Sequence, residues 1–384
     1  MRVGIFGGSF DPIHCEHIAL AKQAVADLSL DRLWIMPAAK PPHKPWRVLT
    51  SDEDRLAMCR LAFADEPKIT VSDYEIQSGG TSYTYLTVRH FKQLCPEAEL
   101  FFLMGTDMLR DFPRWKNPED ILKNAEIAVC ARAEEAAWAE KEQAEFLSRF
   151  GKKFQVLSYE GKDVSSTQIR VLAAAGADVT PFVGEVIAEY VQRKGLYSVV
   201  GAKQALQLEK PGRRAHSIRV ALLALKHAAR WRLNEAQVVQ ACLLHDCAKS
   251  LRADNPLLQG FTPPEDCPLA VMHQYAGEYV ARTHFGVTDE AVLSAIACHT
   301  SGKPKMTDLE KLVFLADLLE EERCYPGVER LRDLFEKDLD ECLTAALEDT
   351  VEYLTRLGQP IYGKTLTAAD YYKKEKENGG NHGK

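Results

Sequence analysis

Two stretches of this chain hold residues whose types and spacing could do chemistry. The first is Gly7-Gly8-Ser9-Phe10-Asp11-Pro12-Ile13-His14-Cys15-Glu16-His17. Glycines let a backbone approach a ligand closely. A helix beginning after them would aim its free N–H groups and the positive end of its dipole at the same place, which suits a phosphate. His14 and His17 stand three apart and so share one helix face. Two imidazoles beside a phosphate can donate hydrogen bonds to oxygens whose charge grows during phosphoryl transfer. No Gly-Lys-Ser/Thr follows the glycines, so this is not a P-loop.

The second stretch is a series rather than a run. His245-Asp246 lies inside Ala241-Cys-Leu-Leu-His-Asp-Cys-Ala-Lys249, read as an apolar helix, and Asp317 lies in Val313-Phe-Leu-Ala-Asp-Leu318. A charged group buried on an apolar helix needs a partner or a metal. His216, His273 and His299 stand on other expected helices. Each histidine alone reads better as a satisfied core residue. Together the six N and O donors fit one or two hard-to-borderline metal ions inside a helical bundle. No cluster of thiolates accompanies them, which disfavours structural zinc. A bridged metal pair could activate water and clamp a phosphate.

These residues need elements to position them. Strands are expected at residues 2–6, 32–36, 99–104 and 125–130, with Gly7-Gly8 breaking the first, and helices at about 14–28 and 51–64. Strands alternating with helices predict an α/β doubly wound, mainly parallel sheet, whose ligands bind at the carboxyl ends of the strands. From Pro211 onward the pattern is helical, with helices expected over 214–231, 234–250, 268–284, 288–298, 307–323 and 338–357, an all-α bundle. The 384 residues therefore divide into a domain over 1–197, a linker over 198–208, a second domain over 209–370 and a flexible tail over 371–384.

A net charge of −7 argues against non-specific nucleic-acid binding, although local N–H groups, basic side chains or metals can still hold nucleotides. Ten cysteines, none spaced as C-x-x-C, read as reduced packing residues of a cytoplasmic protein. The first apolar run is too short for a signal peptide, and no stretch of 18 apolar residues predicts a membrane span. The chain is compatible with a homo-oligomer.

Further motifs follow the glycine turn in order: Pro41-Pro42-His43-Lys44, Ser82-Tyr83-Thr84, Gly105-Thr106-Asp107, Trp115, and the capped helix start Val164-Ser165-Ser166-Thr167-Gln168-Ile169-Arg170. From residue 1 to Lys194-Gly195-Leu196-Tyr197 this order resembles the bacterial nicotinate-nucleotide adenylyltransferase family, a branch of the Rossmann-like nucleotidyltransferases. The resemblance implies transfer of AMP from ATP, with Mg2+, to nicotinate mononucleotide, giving nicotinate adenine dinucleotide and pyrophosphate. It places Gly7, Gly8, Ser9 and Phe10 at the nucleotide. His14 and His17 would stabilise the transition state on the ATP phosphates, and Lys44 would add positive charge there. Ser166, Thr167 and Arg170 would hold the phosphates, with Gly105 and Asp107 by the adenosine. Trp115 would stack on the pyridine ring, and Tyr83 and Thr84 would help to bind the mononucleotide. Nicotinamide mononucleotide and phosphopantetheine remain rival acceptors. Two departures stand out: the family's His-x-Gly-His reads His14-Cys15-Glu16-His17, and its Arg-Pro-Gly reads Arg132-Ala133-Glu134.

The ordered set His216…His245-Asp246…His273…His299…Asp317 resembles the HD phosphohydrolase superfamily. Arg213-x-x-His216, Gly277, Thr300 and Ala316-Asp317-x-x-Glu320 look most like its bacterial symmetrical diadenosine tetraphosphatases, over about residues 205–360. That resemblance implies cleavage of diadenosine tetraphosphate to two ADP, with the six residues as ligands of a di-iron or other divalent metal pair and Asp246 also catalytic. Arg213 and Lys249 are candidates for phosphate binding. A different nucleotide phosphohydrolase and a nucleotide-sensing module are the alternatives. The fusion itself suggests that both halves handle adenine dinucleotides.

Overall fold

The structure is a computed structural model and describes residues 1–42, 48–130, 136–159, 161–162 and 164–379. Chain contacts divide it into two compact units: Met1–Ile169 with Asp178–Leu196, and Arg170–Ala177 with the chain from Tyr197 onward.

The first unit runs β1 (Arg2–Gly8), α1 (Cys15–Asp27), β2 (Arg32–Pro37), α2 (Asp52–Ala62), β3 (Ile69–Val71), α3 (Tyr74–Ser78), α4 (Thr84–Leu94) and β4 (Glu99–Gly105). It continues with α5 (Thr106–Asp111), α6 (Pro118–Asn124), β5 (Glu126–Cys130), α7 (Ala136–Phe150), β6 (Gln155–Leu157), α8 (Ser166–Ala174), α9 (Thr180–Val183) and α10 (Glu185–Lys194). The six strands form one sheet in the order β3-β2-β1-β4-β5-β6, and every pairing is parallel. Strands buried on both faces read as continuous apolar runs, as Ile127, Ala128 and Val129 do in β5, each fully buried. Strand order reverses between β1 and β4, whose register sets Phe6 beside Leu103. At such a switch point the loops at the carboxyl ends part and leave a crevice. The turn after Gly8 and the turn after Gly105 both leave the sheet there. The glycines do not break β1, as the sequence suggested. Gly7 and Gly8 remain paired with Met36 and Pro37, because parallel pairing to β2 needs only their backbone.

The second unit is helical: α11 (Ala202–Leu208), α12 (Pro211–Ala228), α13 (Glu235–Leu244), α14 (Leu269–Thr283), α15 (Glu290–Cys298), α16 (Asp308–Leu319), α17 (Val328–Phe335), α18 (Leu339–Arg356) and α19 (Gly363–Gly379). Its core is one cluster that includes Ala221, Leu243, Leu293, Leu315 and Leu343.

Three expectations about organisation are corrected here. The expected linker holds α11, whose Ala202, Ala205 and Leu206 follow helical spacing and are buried in that core. The expected frayed tail is helical through Gly379, since Tyr372 is buried and its hydroxyl accepts from the Met306 N–H at 2.7 Å. Residues 380–384 lie outside the described residues. Residues 170–177 group with the helical unit, and Val171 and Ala174 lie in its core. No helix among the described residues is long and apolar enough to cross a membrane.

Candidate active sites: a glycine turn and a histidine–aspartate centre

The first site grows from the end of β1. A Cβ on Gly8 would come within 3.0 Å of the Phe10 ring, so glycine is needed for Phe10 to fold back. Phe10 sits at φ 48 and is buried, an uncommon conformation for a side chain of that size. The turn is braced from behind by Arg55, which is fully buried. Its guanidinium donates to the Ser9 carbonyl at 2.8 Å and the Thr50 carbonyl at 3.1 Å, and it pairs with Asp52. This role is not legible in the sequence, because Arg55 sits in the run Asp52-Glu53-Asp54-Arg55, which reads as a solvated helix start.

His14 is the N-cap of α1 and His17 lies one turn in; their ring centroids are 3.8 Å apart. Phe10 meets His17 edge-on at 5.1 Å. The Nδ1 atoms of both histidines are buried with no hydrogen-bond partner. Burial lowers His14 to about 4, although Glu16 pulls the other way. Burial and the neighbouring His14 lower His17 well below the ordinary imidazole value. Two buried ring nitrogens without partners are costly unless something polar comes to meet them.

The remaining candidates arrive on neighbouring loops. A Cβ on Gly105 would meet Asp107 Oδ1 at 2.8 Å, so only glycine lets this carboxylate turn back over the end of β4. Ser82 accepts a hydrogen bond from the Ala39 N–H at 2.9 Å and donates its own N–H to the Lys40 carbonyl at 3.0 Å. That holds Tyr83, the N-cap of α4, and Thr84 beside the end of β2. The ammonium of Lys116 lies 4.3 Å from the Tyr83 ring centre, which brings the Tyr83 loop to the residue next to Trp115. Trp115 is half-buried against Phe112 and Phe102, at 5.4 and 6.1 Å. Ser165 caps α8 by accepting from the Gln168 N–H at 3.1 Å, and the Ser166 hydroxyl donates to the Pro12 carbonyl at 2.9 Å. The start of α8, with Thr167, is thereby fastened to the glycine turn. Arg170 differs from expectation: its guanidinium is engaged by Glu235 at 2.9 Å, within the helical unit. Lys44 and Arg132 lie outside the described residues.

The second site collects side chains from five elements. His216 comes from α12, His273 from α14 and Asp317 from α16, while His245 and His299 are the C-caps of α13 and α15. His245-Asp246 was expected inside a helix, but α13 stops at Leu244. There the chain tightens to i→i−3 bonds, Cys247 N–H to Leu244 O at 3.1 Å and Lys249 N–H to Asp246 O at 2.9 Å. His245 and His299 use the same device. Each Nδ1–H donates to the carbonyl three residues back, Cys242 at 2.7 Å and Ile296 at 2.8 Å. That fixes the tautomer and leaves Nε2 as the free donor atom.

Ligand atoms of His216, His245 and Asp317 converge within 4.8 Å of one another, and so do those of His245, Asp246 and His299. His273 Nε2 stands 3.1 Å from His299 Nε2 and 3.3 Å from Asp246 Oδ1. The structure thus brings all six expected residues together. They fit a divalent metal. His245 Nε2 is buried without a hydrogen-bond partner. The donors are imidazole and carboxylate, and nearby Cys247 is engaged with the Gly277 carbonyl instead. Burial would raise Asp246 and Asp317, but the surrounding histidines hold both carboxyls below their ordinary value.

Around this centre stand further charged residues, of which Arg219 and Arg323 had no place in the sequence reading. Glu320 is buried and accepts from His216 Nδ1 at 3.0 Å, while Arg219 Nε and the Glu322 N–H hold its other oxygen at 2.7 and 2.9 Å. Arg323 donates to Asp317 Oδ1 at 2.6 Å. Arg213 pairs with Asp246, and the Lys249 ammonium lies 3.7 Å from the same carboxylate.

A parallel sheet of this order carrying paired imidazoles at its switch point, joined to a helical His/Asp metal cage, defines an enzyme that couples a nucleotidyltransferase fold to an HD hydrolase fold. Residues 5–172 match the family described as Cytidylyltransferase-like, and residues 213–322 match the HD domain. The chain is 32% identical over 363 residues, 92% of itself and 99% of the relative, to a Mycoplasma pneumoniae protein named "Probable nicotinate-nucleotide adenylyltransferase/Ap4A hydrolase". It is 36% identical over 199 residues, 51% of itself and 98% of the relative, to a Clostridium tetani protein named "Probable nicotinate-nucleotide adenylyltransferase". A Clostridium acetobutylicum structure, described as a predicted HD superfamily hydrolase involved in NAD metabolism, matches 45% of this chain and 95% of its own at 28% identity and a TM-score of 0.43. The chain belongs to the nicotinate-nucleotide adenylyltransferase/Ap4A hydrolase family.

Proposed function

We propose that the sheet unit transfers AMP from Mg2+-bound ATP to nicotinate mononucleotide, and that the helical unit hydrolyses diadenosine tetraphosphate (Ap4A) to two ADP, in a cytoplasmic setting that suits ten free thiols. In the first reaction His14 and His17 are neutral donors before ATP binds. A polyphosphate beside them supplies the negative charge that burial denies them, so their hydrogen bonds strengthen as charge develops on the phosphates. The fastening of α8 to Pro12 supports Ser166 and Thr167 as phosphate ligands. Trp115, Tyr83 and Thr84 are assigned to the mononucleotide.

In the second reaction His216, His245, Asp246, His273, His299 and Asp317 would hold a metal pair, di-iron in our reading. Such a pair supplies Lewis acidity and an activated water. The chain's own residues do the rest. Arg213, Lys249 and Arg323 place three cations at the rim, where they bind and orient a polyphosphate. Glu320 keeps the Nδ1 proton of His216 in place. The observation that carries the assignment is the pair of ligand sets sharing His245. The test is product analysis with protein loaded with iron or manganese and given diadenosine tetraphosphate. Two ADP, abolished by a chelator, are expected. AMP plus ATP would overturn symmetrical cleavage, and no cleavage by metal-loaded protein would overturn the substrate.

A further inference from the structure

Glu16, the residue standing where relatives of the His-x-Gly-His pattern have glycine, does not simply fill space. Its Oε2 accepts two hydrogen bonds of 2.7 Å, one from the Tyr159 hydroxyl and one from the Lys162 backbone N–H. Both donors belong to the loop between β6 and α8. A Cβ on Gly161 would stand 3.0 Å from Glu16 Oε2 and from the Tyr159 ring, so glycine at residue 161 leaves room for this contact. On either side of these contacts the chain is tied again, once to the last residue of α1 and once to the turn before it. The Ser158 N–H and hydroxyl donate to Asp27 at 2.7 and 2.8 Å, and Ser166, opening α8, donates to Pro12 O at 2.9 Å. Glu16 is therefore the middle one of three fastenings between the segment Pro12–Asp27, which carries the imidazoles, and the chain that delivers Ser166 and Thr167. Burial and the Glu16 carboxylate together push the Tyr159 hydroxyl up, so it stays a donor throughout the working range of pH. A carboxylate facing two donors also spends its acceptor lone pairs on the loop rather than presenting them to an anion.

We propose that Glu16 is a positioning residue for ATP: its carboxylate holds the β6–α8 loop so that the start of α8 stays in register with the His14–His17 turn. The proposal rests on the assignment of the ATP phosphates to these two elements. It predicts an effect confined to one substrate, because Tyr83 and Trp115 belong to other loops.

The experiment is steady-state adenylyl transfer by the full chain, varying ATP and nicotinate mononucleotide separately, with E16G, E16Q and Y159F. E16G is expected to raise KM for ATP about tenfold, the size of one charge-assisted pair of hydrogen bonds lost, with KM for the mononucleotide unchanged. E16Q keeps an acceptor oxygen in place and is expected to restore ATP binding to within roughly threefold. Y159F removes one donor and should fall between them. An unchanged KM for the mononucleotide and a melting curve of the same preparations report whether the sheet unit of each variant is folded, and Y159F carries the test should E16G fail to fold. Unchanged or improved KM for ATP in E16G and Y159F would overturn the proposal, as would E16Q behaving like E16G or an equal rise in both KM values. H14A separates this from the underlying assignment: full adenylyl transfer by H14A would remove the phosphate site itself, whatever Glu16 does.

Discussion

The two sites use the same side chain in opposite electrostatic settings. In the sheet unit His14 is pushed down to about 4, because burial is opposed only by Glu16. In the helical unit His245 is more deeply buried, yet it is pushed up to about 9 as Asp246 and Asp317 outweigh that burial. At the first site no carboxylate offsets the burial of the imidazole pair, and in the proposed reading an anionic ligand does so. The second brings its own negative charge and is completed by a cation. The architecture follows the chemistry. A site for a transient polyphosphate is assembled from turns, glycines and helix starts, whose dipoles cost nothing to leave waiting. A site for a resident metal is assembled from long helices, which can hold six side chains against mutual repulsion.

The largest effect that would test this contrast is in the cage. Asp317→Asn keeps the shape of α16 but removes a carboxylate from the ligand set. Hydrolysis of diadenosine tetraphosphate should fall about a thousandfold or more, and bound metal should fall with it, since Lewis-acid activation contributes several kcal/mol. Adenylyl transfer by the same protein should be unchanged. Hydrolysis that survives with metal still bound would dissolve the comparison.

Next in size is the imidazole pair. His14→Asn should lower kcat for adenylyl transfer by roughly a hundredfold to a thousandfold, the cost of losing one preorganised donor, and leave hydrolysis untouched. The same residue has a stability signature. Its folded value lies below the unfolded 6.5, so the unfolded chain takes up the proton first. The protein should therefore lose stability as pH falls from 6.5 towards about 4, by roughly 3 kcal/mol. Denaturant titration at pH 7 and at pH 4.5 should show a smaller acid loss in His14→Asn than in the parent. Equal losses would mean that His14 is not buried as a neutral ring.

Glu320 sharpens the comparison on the metal side, where a carboxylate outside the ligand set orients a ligand. Glu320→Gln is expected to weaken metal binding about tenfold to a hundredfold and to shift the absorption spectrum of an iron-loaded centre. Metal affinity at the parental level would make Glu320 a partner of Arg219 alone.

How much of this was readable in advance differs between the sites for a physical reason. A histidine or aspartate in an apolar helix is conspicuous, because burial of a polar group needs an explanation. His245, Asp246 and Asp317 were visible in that way, and the order of the other histidines around them completed the set. Glu320 and Arg323 were not, since Glu320-Glu321-Glu322-Arg323 looks like a solvated face, and only the fold turns two of its members inward. Arg55 was hidden likewise. In the sheet unit β1, β2, β4 and β5 were legible as apolar runs. The three-residue strands β3 and β6 were too short to show alternation. Helix α11 passed for a linker because its alanines bury little area each, and α19 passed for a tail because its lysines outnumber the two tyrosines that anchor it. The interlocking of Glu16, Tyr159 and Lys162 is long-range in sequence, which no local pattern reports.

The smallest effect concerns Trp115, where packing and binding compete for one ring. Its contact with Phe112 is tilted and its contact with Phe102 is edge-on. Phenylalanine at this position keeps an aromatic face for them and gives up part of the surface a pyridine ring would cover. An aromatic stacking contact contributes about 0.5–1.5 kcal/mol, which is roughly a twofold to tenfold change in binding. Trp115→Phe should therefore raise KM for nicotinate mononucleotide within that range, with KM for ATP and the melting temperature nearly unchanged. A lower melting temperature with both KM values intact would assign the indole to the core with Phe112, and would leave Tyr83, with Lys116 against its ring, as the aromatic candidate for the pyridine.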